Sequence, residues 1–359
     1  MLHTLQTIAL ILVSSNFVFA VPQIVPRAVT RFAAFGDSFA AGIGAGQPFT
    51  GSGPDSANNA GCGRFDGSFN VKLRDDAKVH AASFDFLACS GATAQDVQNS
   101  QLPHLDQSAD FITVSMGGNN VGFGDIVNGC VYRFNGIFAP DCDQALNNAS
   151  TRINNNPDFL DPVTNGLRAI TAKAPNAKVY VMGYAKFWNA TTTQCDNVSW
   201  NYWQTPGATK MTRALRQKMN DLLDAVNNKI STAVQGLNNP RVTFVNYDAY
   251  FQNHRFCEGG VNEPQGPNED RPNMFFFQLN TPVGSVNSFV QPFSPASQYL
   301  DWIKAAKTAS PNTPVNPIYA GLSTATSASG GLPLWIAKIF HPTSPGHVAI
   351  SSAISGKIP

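Results

Sequence analysis

Charge is scarce in this chain. Only 13% of its 359 residues are Asp, Glu, Lys or Arg, and the formal net charge is +1. Binding nucleic acid or another polyanion needs a basic face that displaces counterions, and this composition argues against one. After the first 20 residues no apolar run reaches the eighteen or so that cross a bilayer. Low-complexity linkers and internal repeats are missing too, as are the Gly-x-Ser-x-Gly elbow and the histidine/carboxylate spacings of a zinc site. Gly42, Gly44 and Gly46 fall in the order Gly-x-Gly-x-Gly, and no acidic residue closes a matching second strand. That is not a dinucleotide fingerprint. The chain is therefore expected to need neither cofactor nor metal.

Against that background one stretch stands out. Phe32-Ala33-Ala34-Phe35 reads as a buried strand, and Gly36-Asp37-Ser38 as the sharp turn leaving it. Ser38 then sits at the carboxyl end of a strand, where open α/β sheets form their ligand crevice. The plainer alternative is that Asp37 or Ser38 caps the next helix.

Two further segments repeat the arrangement. Residues 83–89 read as a strand followed by Ser90-Gly91-Ala92-Thr93, and residues 110–116 as a strand followed by Gly117-Gly118-Asn119-Asn120. If these strands are parallel, one sheet edge carries a hydroxyl, a glycine amide and a carboxamide. A nucleophile flanked by such donors is what acyl transfer requires, because the donors stabilise the oxyanion of a tetrahedral intermediate.

Activating a serine calls for a base near neutral pH, usually histidine. His3 lies in the expected targeting segment, and His80 and His104 stand in polar surroundings without a motif; His254 lies in a long insertion. His341 follows the apolar Ile339-Phe340 and precedes Pro342-Thr343-Ser344, where Thr343 or Ser344 is placed to cap a last helix through residues 348–350. A tight loop there brings His341 to the edge carrying Ser38. His347, at the start of that helix, reads as structural.

Together these residues carry a resemblance. Gly36-Asp37-Ser38, Gly91, Gly118-Asn119 and His341-Pro342 resemble the blocks of the SGNH, or GDSL-type, hydrolases, over nearly the whole span from about residue 32 to 355. Within that superfamily the chain is similar to the secreted, disulfide-containing esterases and lipases. The resemblance implies an α/β fold of the flavodoxin-like kind, a three-layer α/β/α sandwich with a central parallel sheet, and ester hydrolysis through an acyl-enzyme. Carried over, Ser38 is the nucleophile and His341 the general base. The backbone amides of Ser38 and Gly91 and the side chain of Asn119 are the oxyanion donors.

Three positions depart from the family pattern. Phe39 replaces the usual Leu or Tyr, and Asn120 stands where Asp is common. More seriously, Lys338 occupies the position of the third triad member, an aspartate. A backbone carbonyl near Lys338 is the expected partner of His341; Asp248 and Glu258 are the alternatives.

The segment Thr7–Val13 is too short to span a membrane, and Val18-Phe19-Ala20 suits a signal peptidase, so cleavage after Ala20 is expected despite the lack of Lys or Arg before it. Residues 21–31 read as a short pro-segment or ragged terminus, and 32–359 as a single hydrolase domain with long insertions at 120–155 and 250–335. Six cysteines remain, Cys62, Cys89, Cys130, Cys142, Cys195 and Cys257; an even count in an exported chain suggests three bridges with fifteen possible connectivities. The resemblance implies the sequential pairing, which would brace the Gly91 loop through Cys89. Sequons at Asn148, Asn189 and Asn197 are candidate glycan sites in a eukaryotic host.

Residues 178–183 and 241–246 supply two more strands. Between them Met211, Leu215, Met219, Leu222, Val226 and Ile230 mark one face of a helix whose Lys210, Arg213 and Lys218 point to water. Phe275-Phe276-Phe277, Phe289, Phe293, Tyr299 and Trp302 line an acyl pocket or form plain core. The expected function is that of a secreted, monomeric serine esterase or lipase acting on a small-molecule, lipid or acylated-polymer ester. A carbohydrate acetylesterase on the same fold is the alternative, and an inactive secreted binding protein a more distant one.

Overall fold

The computed structural model describes residues 29–261, 263–264, 273–279, 289–290, 298–317, 319 and 332–359. The expected leader at 1–20, most of the segment 21–31, and the side chains of Phe289, Phe293, Tyr299 and Trp302 lie outside the described parts.

Five strands, β1 (Arg31–Gly36), β2 (Ser83–Phe86), β3 (Phe111–Ser115), β4 (Lys178–Met182) and β5 (Val242–Val245), form one parallel sheet in the order β2-β1-β3-β4-β5. A two-stranded antiparallel ribbon joins β6 (Phe289–Val290) to β7 (Leu332–Pro333). The helices, in chain order, are α1 (Ser38–Ala41), α2 (Phe69–Arg74), α3 (Ala94–Asp96), α4 (Phe123–Ile126), α5 (Cys142–Asn154), α6 (Leu160–Lys173), α7 (Arg213–Gly236), α8 (Gln298–Ala309), α9 (Leu334–Ala337) and α10 (Ser344–Ser355).

Every residue of β3, and every residue of β1 after Arg31, is buried. Successive side chains of a strand face opposite ways, so both faces of the sheet are covered. One helical set joins α2 to α10 and another packs α5 and α6 on α7. This is the flavodoxin-like order, in which the chain reverses direction across the sheet between β1 and β3. Ligands bind at that switch point.

The five strands fall where alternating and apolar runs place them, with ends shifted by up to three residues. The long helix α7 starts at the Thr212 cap, whose side chain accepts from the Leu215 N–H at 3.2 Å, and runs six residues past Ile230 because Ala233 and Val234 continue its buried face. The segment 120–155, expected as an insertion, contains α4, a π-helical turn at Val127–Val131, and α5. Asp141 caps α5 by accepting from the Gln144 N–H. The helix buries Ala145, Leu146, Ala149 and Ile153, a stripe obscured by the polar residues around it.

Three disulfides join Cys62 to Cys89, Cys130 to Cys142 and Cys195 to Cys257. Two arginines with buried side chains hold neighbouring loops. Arg64 donates to the carbonyls of Ala88 and Leu87 and pairs with Asp55, while Arg216 donates to the carbonyls of Asn189, Thr192 and Met211 and pairs with Asp196.

Candidate active site

β1 ends at Gly36, where φ is +131° and a Cβ would lie 2.3 Å from the Ser115 carbonyl oxygen. Only glycine fits so close to a neighbouring strand. The Gln101 side chain clasps the same residue, accepting from its N–H at 2.9 Å and donating to its carbonyl at 2.8 Å. Asp37 then caps α1, its carboxylate accepting from the Phe39 N–H at 3.0 Å and the Ser115 hydroxyl at 2.7 Å. Capping and catalytic placement are thus one arrangement: the cap turns the chain so that Ser38 becomes the first helical residue. An N–H in that position has no intrahelical acceptor.

His341 comes to Ser38 from the other end of the chain, with Nε2 2.6 Å from Ser38 Oγ. Its Nδ1 lies 3.0 Å from the carbonyl oxygen of Ile339. A carbonyl only accepts, so Nδ1 carries the proton and Nε2 is left as the acceptor for the serine hydroxyl. Phe340, at φ +63°, makes the turn that folds the ring back over its own chain. The strand-like segment 275–277 braces this loop: Phe277 N–H donates to His341 O, Phe340 N–H to Phe277 O, and Thr343 N–H to Phe275 O, all at 2.9 Å.

The expected partner carbonyl is corrected by one residue. The Lys338 oxygen accepts the His341 backbone N–H at 2.9 Å and contributes to the ring only after Ile339. The sharp turn at Phe340 brings the Ile339 carbonyl under the imidazole instead. Both ring nitrogens are thereby engaged, and the two alternative carboxylates are committed elsewhere. Asp248 accepts from the Lys186 N–H and from Arg255, and Glu258 from Asn189 and the Arg255 N–H. Burial of the imidazole lowers its pKa to about 4, and the carbonyls of Ile339 and then Lys338 offset part of that fall. The Lys338 side chain is buried with its ammonium 4.8 Å above the Phe277 ring, and burial lowers its pKa to about 7.

The oxyanion candidates lie on the neighbouring strand ends. Gly91, at φ +80°, follows Cys89 on a loop held by the Cys62–Cys89 bridge, by Ser90 N–H donating to Cys62 O, and by Arg64. Asn119 Nδ2 donates to Ala92 O at 2.9 Å, which ties it to the Gly91 loop and leaves its second N–H for another acceptor. Asn120 explains its own departure from the family pattern. Its Oδ1 accepts from Ala94 N–H at the start of α3, and its amide donates to Gln95, a pair of roles that an aspartate cannot fill.

Among the histidines set aside, His80 and His104 are exposed and His254 stacks on Phe275. His347 is fully buried against Phe69, with Nδ1 accepting from the Phe69 N–H at 3.3 Å. Thr343 takes the N-cap position of α10, but its hydroxyl donates to Met274 O instead of capping. Of the three sequons, Asn148 and Asn197 are exposed, whereas the amide of Asn189 is spent on Glu258 at 2.6 Å.

A cavity of about 110 Å³ opens beside Ser38, Asn119 and His341. Its wall is apolar: Val121, Phe123, Ile126, Val127 and Val131 lie around α4, Ala149 and Ile153 on α5, and Met219, Leu222, Leu223 and Val226 on α7, with Phe39, Phe187, Trp188 and Phe340 completing it. Of the phenylalanines that were candidates for it, Phe276 and Phe277 lie elsewhere. Phe276 packs in the core against Phe187, Phe251 and Phe256, and Phe277 lies under Lys338. Tyr184, which follows β4, also lines the cavity; strand-end reading stopped at β3 and missed it.

A family model for GDSL-like lipases/acylhydrolases matches residues 34–264, a span that carries Ser38, Gly91 and Asn119. The chain belongs to the GDSL-like lipase/acylhydrolase family. His341 lies beyond the matched span, and its place beside Ser38 comes from the geometry. Among GDSL relatives, Lipase 1 of Streptomyces coelicolor is 35% identical over 170 residues, 47% of this chain and 57% of that protein. A lipase of Streptomyces rimosus is 33% identical over 186 residues, 51% of this chain and 62% of that one. The chain thus spans about six-tenths of the length of these relatives. The fold matches the crystal structure of phospholipase A1 from Streptomyces albidoflavus, with a TM-score of 0.58, 21% identity, and 92% of this chain and 100% of that one covered. The extracellular lipase from Streptomyces rimosus gives the same TM-score at 19% identity, covering 91% and 99%.

Proposed function

We propose that this chain is a secreted, monomeric serine ester hydrolase, with residues 32–359 forming one catalytic domain. The observation that carries the reading is the 2.6 Å contact between Ser38 Oγ and the unprotonated Nε2 of His341, at the mouth of an apolar cavity. Ser38 Oγ attacks the ester carbonyl carbon while its proton passes to His341 Nε2. The carbonyl oxygen, now an anion, accepts from the Ser38 and Gly91 N–H groups and from Asn119 Nδ2. The Ile339 carbonyl stabilises the imidazolium through Nδ1. Collapse of the intermediate breaks the bond to the alcohol, which leaves with the proton from Nε2. Water then repeats the sequence on the acyl-enzyme, and the acid departs.

The cavity supports an apolar acyl group of several carbons in preference to acetyl, which would leave most of the wall uncovered. This favours an esterase or lipase over a carbohydrate acetylesterase. The three disulfides support export to an oxidising space, in keeping with the leader that the sequence leads one to expect at 1–20.

The test is a ladder of p-nitrophenyl esters from acetate upward, run beside acetylated xylan. Each methylene buried in the cavity contributes about 0.8 kcal/mol, so kcat/KM should climb about fourfold per carbon until the cavity is full. Ser38→Ala should abolish turnover and labelling by an organophosphate. Activity confined to acetyl esters would overturn the acyl-cavity reading, and a Ser38→Ala variant that still turns over would overturn the nucleophile.

A further inference from the structure

The phenol of Tyr184 joins two turns that leave different strands. Its hydroxyl donates to Asp37 Oδ2 at 2.5 Å and accepts from the Gly118 N–H at 3.0 Å. Asp37 immediately precedes Ser38, and Gly118 immediately precedes Asn119. A single oxygen atom therefore bridges the residue before the nucleophile and the residue before an oxyanion donor. The surroundings fix that atom closely. The Tyr184 ring packs edge-on against Phe39, with centroids 5.2 Å apart, and a Cβ on Gly118 would come within 3.2 Å of the phenol. Asp37 accepts from Phe39 N–H, Ser115 hydroxyl and Tyr184 hydroxyl, all donors, which suits a carboxylate. Burial pushes the phenol far above its ordinary range, so its proton stays available for that bond.

We infer that Tyr184 is a positioning residue whose hydroxyl sets the separation between Ser38 and Asn119. The inference rests on the ester-hydrolase reading. Oxyanion donors accelerate a reaction only where they already point at the position the anion will occupy, and a misplacement near 1 Å is enough to forfeit about a hundredfold in rate. Without the hydroxyl, the Gly118 N–H is left unpaired and Asp37 loses one of its donors. The two turns can then relax independently. The loss falls on the transition state, because the ground-state ester is held chiefly by the cavity.

Tyr184→Phe keeps the ring and deletes the bridge. Its expected kcat for p-nitrophenyl butyrate is about 10- to 100-fold below wild type, with KM within about twofold. The inhibition constant of an alkylboronic acid, which forms a tetrahedral adduct on serine, should rise by the same factor as kcat falls. Gly118→Ala presses on the same joint from the other side and should give the same kcat-only loss, which covers the case of a poorly folded Tyr184→Phe. Ser115→Ala removes another donor from Asp37 without touching Gly118, so its loss in kcat should be clearly smaller than that of Tyr184→Phe. Wild-type kcat in a folded Tyr184→Phe, a loss confined to KM, or an equal loss in Ser115→Ala would overturn the inference alone. A wild-type protein without serine-dependent esterase activity would overturn the hydrolase reading and this inference with it.

Discussion

The carbonyl oxygen of Ile339 lies 3.0 Å from Nδ1 of His341, and this neutral acceptor holds the ring where a triad would use a carboxylate. A carbonyl orients the imidazole as well as an aspartate does, but it returns less energy when the ring becomes charged. Burial, which that carbonyl offsets only in part, makes His341 a weak base, with its pKa lowered to about 4.

The pH dependence should show this directly. Above its pKa the ring is neutral and accepts the serine proton; below it Nε2 is already protonated. The acid limb of kcat/KM should therefore fall near pH 4, well under the ordinary histidine value of about 6.5. Asp248→Asn and Glu258→Gln should stay within about tenfold of wild type, far from the roughly 10⁴ loss that removal of a triad aspartate causes in serine proteases. An acid limb at 6.5 would mean that burial does not weaken the ring as a base, and a drop near 10⁴ in either variant would mean that a carboxylate assists it.

Asn119→Ala should lower kcat by about 10²–10³ with little change in KM, the usual consequence of deleting one oxyanion donor. Steady-state kinetics on a short-chain ester decide it. An effect on KM alone would make Asn119 a ground-state contact.

Val226→Phe, on the α7 wall of the cavity, should shorten the preferred acyl chain. With the ladder of p-nitrophenyl esters, kcat/KM for hexanoate should drop by more than about tenfold while acetate changes little, since about two methylenes lose their burial. A uniform loss across the ladder would mean that the substitution disturbs the catalytic groups instead.

His347 bears on acid stability. Burial first, then the charges of Lys72 and His341, lower its pKa to about 3. Its folded value lies below the unfolded value of about 6.5, so between these limits the unfolded chain binds more protons and stability falls as the pH drops. His341 acts the same way down to about pH 4. His347→Asn, which keeps an acceptor for the Phe69 N–H, should move the acid-unfolding midpoint to lower pH while leaving kcat within about threefold. Circular dichroism across a pH titration measures this, and an unchanged midpoint would remove His347 from the account.

Much of the sheet edge was legible from residue order, because each of the first three strands is an apolar run ended by small residues. Ser38, Gly91 and Asn119 stand out for that reason. Tyr184 did not, because its role appears only when β4 lies beside β3 and the phenol reaches back across two strands. The cavity was legible only in part for a related reason. Its wall is gathered from residues near 125, 150 and 222, separated by long stretches of chain, while the conspicuous Phe275-Phe276-Phe277 belongs to the brace behind His341. The exchange of Ile339 for Lys338 as the nearer partner turns on one backbone angle at Phe340, which residue identity alone does not encode.

That angle has an evolutionary consequence. An orienting group supplied by the main chain survives any change of side chain at position 339, so point substitution there cannot erase it. It is lost only when the path of the loop changes, through insertion, deletion or loss of the pairing between 275–277 and 340–343. Comparison of descendants of this protein by residue identity would register no third member at all. The position would drift freely in composition while the length and shape of the segment from Lys338 to Pro342 stayed under selection.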